Sequence, residues 1–300
     1  MRFRPCDAAA TLVLLALSPM ASAADPGSSA PRERIVEIRA AFAREDFDGA
    51  IALAERLAAS APLSPASRIW LGRALGQKAL HASLLTRIGW GKKCKKAFEE
   101  AVALDPDDLD ARFELMRYLV VAPGIAGGDR DRARSEAAEI ARRSPGRGRV
   151  AEGTLGEGEK DFRAAEAAFR KAAETDGADP TAANALGGFL LRQKRPAEAL
   201  AFWKTRVAAD PTDLLARYGF ARAAVASGTG LKEAAEGMRA YLAVPPLPEA
   251  PSWADARWRL AQVLEKLGKK AEALRELEEA LRLVPGHSGA KKDLERLRKA

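Results

Sequence analysis

The sequence predicts an all-α protein, a solenoid of about seven helical hairpins followed by a C-terminal capping helix. Apolar residues recur at helical spacing along most of the 300 residues, and no stretch alternates as a strand would. Ala and Leu supply most of the 47% apolar residues, whereas aromatic residues make up only 6%, which favours closely packed helices. Prolines that would end successive hairpins indicate a repeat of roughly 34 residues with insertions. They are Pro62, Pro106, Pro145, Pro211, Pro246 and Pro285.

The most regular hairpin lies near the C-terminus, between Asp255 and Pro285. Its apolar residues recur every three or four positions, Gly268 interrupts the pattern, and a second apolar stripe follows until Pro285. The order Leu-Ala, Gly, Ala-Leu, Ala and Pro at these offsets resembles one unit of the tetratricopeptide repeat (TPR) family. The resemblance implies a right-handed α-solenoid of about seven TPR-like helix-turn-helix units, whose first helices line a shared groove.

Weaker copies of this unit extend the resemblance over almost all of residues 32–286. The expected units cover residues 32–62, 65–106, 109–145, 146–177, 180–211, 214–246 and 254–285. Residues 287–300 are predicted to form a charged capping helix over the apolar face of the last unit. The fourth unit has the least regular first helix, because that helix is rich in glycine, with Gly148, Gly153, Gly156 and Gly158 among its residues.

Two units are longer than the repeat requires. About ten extra residues before Cys94, within LHASLLTRIGWG, lengthen the first helix of the second unit or its loop. The stretch APGIAGGD adds about five residues to the third unit, and Asp129 is expected to cap the next helix. This layout also resembles a group of exported bacterial TPR proteins with an APGIxGG loop. Cys94 would be either a buried small residue, which its position between two helices favours, or a reactive thiol.

The N-terminus predicts export. Two arginines precede an apolar run at residues 8–17, and an Ala-Ser-Ala site follows, so residues 1–23 are predicted to be a signal peptide. Residues 24–31 would follow as a linker. We therefore expect a periplasmic or secreted protein, soluble after signal cleavage because no later run is apolar enough to span a bilayer. A retained N-terminal anchor is the alternative.

Composition argues against catalysis and against nucleic acid. The net charge is +8 and the basic excess is scattered, so an exported chain would more readily attract acidic peptides or an anionic envelope surface. Once Cys6 leaves with the signal peptide, Cys94 has no cysteine to pair with. His81 and His287 are far apart in the order of units, so neither a Cys–His metal site nor an acid–base pair is expected. Neither a P-loop nor a nucleophile elbow occurs, and we expect no enzyme activity and no cofactor.

Binding residues are predicted on the first helices. The TPR resemblance implies groove residues at the fifth position of a unit (Phe113, Asn184, Tyr218, Trp258) and at the ninth (Arg73, Arg117, Arg222, Gln262). An aromatic ring followed one turn later by an arginine offers a flat apolar face and a fork that binds carboxylates. Such a groove would hold a protein or peptide partner with acidic and apolar side chains. The alternative is that the rings pack against the neighbouring unit and the arginines are solvated.

The insertion supplies a second candidate surface. Trp90, Lys92 and Lys93 are predicted to form a docking loop, with the basic run at the start of a helix. Two functions stay open. One is a non-catalytic scaffold in the bacterial cell envelope that binds a protein or peptide through its groove. The other is an accessory subunit of an envelope transport or assembly complex that docks through its inserted loops.

Overall fold

The computed structural model describes residues 29–175, 180–245 and 250–299, and in these ranges it contains fifteen α-helices, one 3₁₀ turn and no strand. The helices are α1 Ser29–Ala43, α2 Phe47–Ser60, α3 Pro65–His81, α4 Leu84–Leu104, α5 Leu109–Val121, α6 Arg130–Arg143, α7 Pro145–Gly158, α8 Phe162–Thr175, α9 Pro180–Arg192, α10 Pro196–Ala209, α11 Leu214–Ser227, α12 Leu231–Leu242, α13 Trp253–Lys266, α14 Lys270–Leu283 and α15 Ser288–Lys299. They form seven hairpins followed by α15, which confirms the predicted all-α solenoid.

Several predicted segment boundaries lie at or beyond the edges of the described residues. The predicted signal peptide lies outside the described residues, as does most of the predicted linker. α1 begins at Ser29, so the last three residues of that linker are helical. The predicted boundary of the sixth unit at Pro246 also lies outside the described residues. None of the described helices combines the length and the apolarity that a bilayer span requires.

The hairpins stack so that their first helices are close together. The first helix of each hairpin contacts the first helix of the next, from α1 to α13, and each second helix contacts the first helix that follows it. Successive second helices do not pack in this way within the described residues. Because the first helices are the closer set, they form the concave side of a curved stack. We call the surface formed by α1, α3, α5, α7, α9, α11 and α13 the inner face.

The stack curves far enough for its two ends to meet. Lys292 Nζ in α15 lies 2.9 Å from Glu45 Oε1 at the turn between α1 and α2. The Arg44 side chain also lies beside Gly286, at the turn before α15. The first hairpin therefore contacts α15 and the turn before it.

Small residues on the first helices allow close approach to large rings on the second helices. Three such pairs are Gly72–Phe98, Gly153–Phe169 and Gly187–Trp203, where an added Cβ would lie 2.3 to 2.5 Å from the ring atoms. Real Cβ atoms do not come so close to their neighbours, so glycine is required there. Gly153, which makes α7 look irregular in the sequence, is thus a packing position. Many of the buried core residues are alanines, so the helices pack closely, as the composition predicts.

The insertion lengthens two helices and leaves their loop short. α3 has 17 residues and α4 has 21, while every other helix has 12 to 15. Only Ala82 and Ser83 separate them. The predicted docking loop is consequently helical, and Lys92 and Lys93 lie in the middle of α4 rather than at a helix start. The insertion pattern could not decide between helix and loop, because its residues suit both.

The second departure from the repeat packs against the first. The stretch APGIAGGD forms a 3₁₀ turn at Gly124–Ala126, and Tyr118 Oη donates a 2.7 Å hydrogen bond to the Ala126 carbonyl. An added Cβ at Gly91 in α4 would lie 3.0 Å from that Tyr118 oxygen. Asp129 accepts a 2.9 Å hydrogen bond from the Arg132 backbone N–H, which confirms the predicted cap.

Candidate binding site on the inner face

The structure separates the predicted aromatic groove residues. Phe113 is buried in the core, so its ring is not accessible to a partner and it is not a groove residue. Trp258 is half-buried, donates from Nε1 to Asp293 Oδ2 at 2.7 Å, and covers Gly289. Trp258 therefore fixes α15 to the last unit, as the alternative of packing against a neighbour anticipates. Tyr218 remains half-buried on α11.

Two of the predicted arginines belong to a buried ion cluster around Glu114. Glu114 Oε1 accepts from Arg73 Nε at 2.8 Å, and Oε2 accepts from Arg117 Nη2 at 2.5 Å. The Glu114 side chain is only 2% exposed. Burial opposes its ionisation, but the two guanidinium groups outweigh burial and lower the pKa of Glu114. We call Arg73, Glu114 and Arg117 the Glu114 cluster. Its arginines already have a carboxylate, so they have little to offer a ligand.

Cys94 lies next to this cluster. Its side chain is buried, and burial raises the pKa of the thiol, with the nearby Glu114 carboxylate acting in the same direction. An added Cβ at Gly76 would lie 3.3 Å from its Sγ. The geometry is that of a buried small residue between two helices, one of the two alternatives that the sequence leaves open.

A second group of arginines, on α9, α11 and α13, has fewer carboxylate partners among the described residues. Arg192 is paired with Glu157 by two hydrogen bonds of 2.7 Å. Arg222 and Arg259 have no carboxylate within ion-pair distance among the described residues. Burial lowers the pKa of Arg222, and the charges of Arg259 and Arg192 lower it further. We call Arg192, Arg222 and Arg259 the arginine site.

Aromatic and amide groups hold this site in place. The Arg259 guanidinium lies 5.7 Å from the Tyr218 ring centroid and 5.1 Å from that of Trp258, and its Nη1 donates to Gln262 Oε1 at 2.6 Å. Gln262 Nε2 in turn donates to Asp293 Oδ2 at 3.0 Å. Asn184 is half-buried and makes no side-chain hydrogen bond within the described residues. Tyr218, Arg222 and Gln262 are thus all neighbours of Arg259, and Asn184 lies on α9. That these residues bind a partner stays a prediction.

Sequence reasoning missed Glu114, Arg192 and Arg259. Glu114 and Arg259 directly follow the fifth-position aromatics, so they occupy the sixth position of their units. A scan for charge at that position would have found them. Arg192 lies four residues after Gly188, and an added Cβ at this glycine would lie 3.1 Å from Arg192 Nη1.

The two histidines have structural surroundings. His81 is exposed and stacks on Phe47 with ring centroids 4.4 Å apart. His287 is buried, accepts at Nδ1 from the Ala290 backbone N–H, and lies with Nε2 3.2 Å from Asp255 Oδ1. His287 therefore caps α15. In the described part of the chain, no three His, Cys, Asp or Glu side chains are arranged to hold a metal ion.

The second candidate surface lies on the long hairpin of α3 and α4. Lys93 Nζ lies 4.6 Å from the Trp90 ring centroid and Lys92 is exposed. Leu84 and Leu85, at the start of α4, are 78% and 94% exposed. We call these two leucines the hairpin tip.

Comparison with known proteins supports the repeat assignment. Models of the tetratricopeptide repeat match residues 35–82, 150–213 and 254–287. These stretches fall on three parts of the stack, and the hairpins between them continue the same packing. The chain is a tetratricopeptide repeat protein. The likeness to exported TPR proteins with an APGIxGG loop stays a prediction.

Solved structures resemble this TPR protein at the level of the fold. Yeast Tom70 is 14% identical with a TM-score of 0.53, over 93% of this chain and 66% of that one. A human IFIT1 dimer with m7Gppp-AAAA is 15% identical with a TM-score of 0.53, over 84% and 59%. A TPR protein from Parabacteroides merdae is 13% identical with a TM-score of 0.46, over 90% and 100%. No curated protein matches the sequence.

Proposed function

We propose that this TPR protein is a non-catalytic scaffold of the bacterial cell envelope that holds a protein or peptide partner against its inner face. TPR folds serve protein–protein recognition, which is the coarse function that the family supports. The observation that carries the proposal is that polar side chains on α9 and α11 have unsatisfied hydrogen-bonding groups within the described part of the chain. Asn184 on α9 and Arg222 on α11 make no side-chain hydrogen bond or ion pair among the described residues, and the half-buried Tyr218 lies on the same helix as Arg222. Desolvating such groups without a partner is costly, so a ligand that pairs with them would recover free energy.

The envelope location rests on the sequence at residues 1–23. A signal peptide there would be removed after the Ala-Ser-Ala site. We expect protein purified from the periplasm or the medium to have the mass of a chain that begins at Ala24. A full-length mass, or recovery only from the cytoplasm, would contradict this part of the proposal.

Site-specific crosslinking tests the use of the inner face. A photoreactive phenylalanine analogue replaces Tyr218 on α11, and the same analogue replaces the exposed Lys171 on α8 as a control. We expect ultraviolet light to attach a discrete envelope protein or peptide to the first variant and not to the second. Equal labelling of both variants would argue against a partner on the inner face.

A second candidate function uses the hairpin tip. Leu84 and Leu85 are exposed apolar residues on a segment that extends beyond the repeat, with Lys92 and Lys93 two to three turns further along α4. This observation favours an accessory subunit that docks into a larger envelope complex through the long hairpin. The partner surface would be apolar with an acidic margin.

A matched set of leucine substitutions distinguishes the two candidates. The double variant Leu84→Ser, Leu85→Ser removes the apolar tip, and Leu63→Ser removes a leucine that is 81% exposed at another turn. If the protein docks through its hairpin, the double variant runs smaller than wild type on native sizing of envelope extracts, and Leu63→Ser does not. If the inner face is used instead, both variants retain the partner.

A further inference from the structure

The arginine site contains more cations than paired carboxylates among the described residues. Three guanidinium groups lie on α9, α11 and α13, and Arg259 and Arg192 both act on the charge of Arg222. Among the described residues Glu157 is the one carboxylate paired with any of them, and it binds Arg192. The nearby Asp293 carboxylate accepts from Trp258, Gln262 and Arg296 instead. Arg222 and Arg259 are therefore left without a counterion in the part of the chain that the structure describes.

The corresponding junction between α3 and α5 has a carboxylate where the α11–α13 junction has a second arginine. Arg73 is the ninth residue of its unit, and Glu114 is the sixth residue of the next unit; the two form an ion pair of 2.8 Å. Arg222 is also a ninth residue, and the sixth residue of the unit after it is Arg259. The same pair of positions therefore holds a closed ion pair between α3 and α5, and two like charges between α11 and α13.

Neighbouring side chains hold Arg259 in position. Arg259 is held over the Tyr218 and Trp258 rings and donates to Gln262, while its Nε is buried without an acceptor. The Tyr218 ring, 5.7 Å from the Arg259 guanidinium, adds an apolar face to the site. Like charges held together without a counterion are unfavourable. A bound anion would offset that repulsion with charge-assisted hydrogen bonds.

We infer that Arg222 and Arg259 bind one carboxylate of the partner, taking the place that Glu114 occupies between α3 and α5. The inference rests on the proposed scaffold function, because it identifies the chemical group by which a partner is held. An Asp or Glu side chain, or a chain terminus, would supply the carboxylate, and an apolar neighbour in the peptide would lie against Tyr218. A phosphate offers similar oxygens, so the experiment separates the two sources.

Charge reversal at one residue tests the inference. Arg259→Glu places a carboxylate in the position that corresponds to Glu114, where it can pair with Arg222 internally. Arg222→Gln removes the other cation. Arg275→Glu, on an exposed residue of α14, makes the same charge change away from the inner face. The probes are an acetylated triglutamate amide, the matching triglutamine peptide and inorganic phosphate, measured by calorimetry at low ionic strength.

We expect the triglutamate peptide to bind wild type and Arg275→Glu alike, and to bind Arg222→Gln and Arg259→Glu at least tenfold more weakly. Triglutamine should not bind. Equal affinity of triglutamate for wild type and Arg259→Glu would overturn the inference. Phosphate binding that depends on Arg222 without triglutamate binding would overturn the carboxylate as the source.

These outcomes are independent of the crosslinking result. If Tyr218 variants capture a partner but the charge variants bind triglutamate like wild type, the carboxylate inference fails and the scaffold proposal stands. If triglutamate binds as expected but no partner is captured at the inner face, the proposed scaffold function fails. Circular dichroism of each variant confirms that the helices are intact.

Discussion

At the junction between α3 and α5, Arg73 donates to Glu114, whereas at the junction between α11 and α13 the corresponding residues are Arg222 and Arg259. The backbone and the packing of first helix on first helix are of the same kind in both places. One junction has satisfied its charges internally, and the other has left two cations facing the inner face. The sixth residue of the following unit is a glutamate at the first junction and an arginine at the second, and the ninth residue is Arg117 at the first and Gln262 at the second.

The difference separates two uses of a charged residue in a repeat array. Burying an ion pair costs desolvation free energy, which the attraction between the charges and their hydrogen bonds must offset. Removing one partner destabilises the fold more than replacing both with apolar residues, because it leaves a single charge buried without a partner. An unpaired, partly buried guanidinium has no such role in holding the fold together. Charge on the inner face therefore indicates a ligand only where no carboxylate of the chain already meets it.

The largest expected effect is on the paired junction. Glu114→Gln leaves Arg73 and Arg117 buried without a carboxylate, and we expect it to lower the free energy of unfolding by about 3–5 kcal/mol. Arg222→Gln, the matched change at the unpaired junction, should stay within about 1 kcal/mol of wild type. Urea unfolding followed by circular dichroism measures both. Similar losses for the two variants would remove the distinction between the junctions.

Acid should erase the same difference. The pKa of Glu114 is lowered in the folded protein, so its charge contributes stability that is fully present above the ordinary value of 4.5 and is lost as the pH falls through the folded pKa. The gap in urea midpoint between wild type and Glu114→Gln should therefore shrink as the pH drops below 4.5. Arg222→Gln should show no such convergence, because no carboxylate of the described residues pairs with Arg222. A gap that stays constant between pH 7 and pH 3 would contradict the assignment.

Most of the fold could be predicted because each hairpin repeats a local pattern. α9 and α10 form one such hairpin between Pro180 and Ala209, and α13 and α14 form another between Trp253 and Leu283. The binding residues were harder to predict, since the repeat register specifies which helix face a residue lies on but not which neighbour covers it. Phe113 and Trp258 share a register position with Tyr218, yet the first is core and the second is covered by α15.

Contacts between distant units could not be predicted from local pattern at all. The Glu114 cluster joins residues 41 positions apart, and the arginine site draws on three helices of three units. The meeting of the first and last units depends on the sum of small rotations along the stack. No single repeat carries that information, so Glu45 and Lys292 had no signal in the sequence.

The smallest expected effect is at the contact between Glu45 and Lys292. It tests whether the contribution of the Glu114 cluster to the free energy of unfolding comes from its burial rather than from its charge alone. The Glu45 and Lys292 side chains are 44% and 70% exposed, and exposed ion pairs contribute about 0–1 kcal/mol. Lys292→Glu should therefore lower the free energy of unfolding by no more than about 1 kcal/mol, and 1 M salt should remove the loss. The double variant Glu45→Lys, Lys292→Glu restores opposite charges and should recover the wild-type urea midpoint. A loss as large as that of Glu114→Gln would mean that closure of the stack, and not the buried cluster, stabilises the inner face.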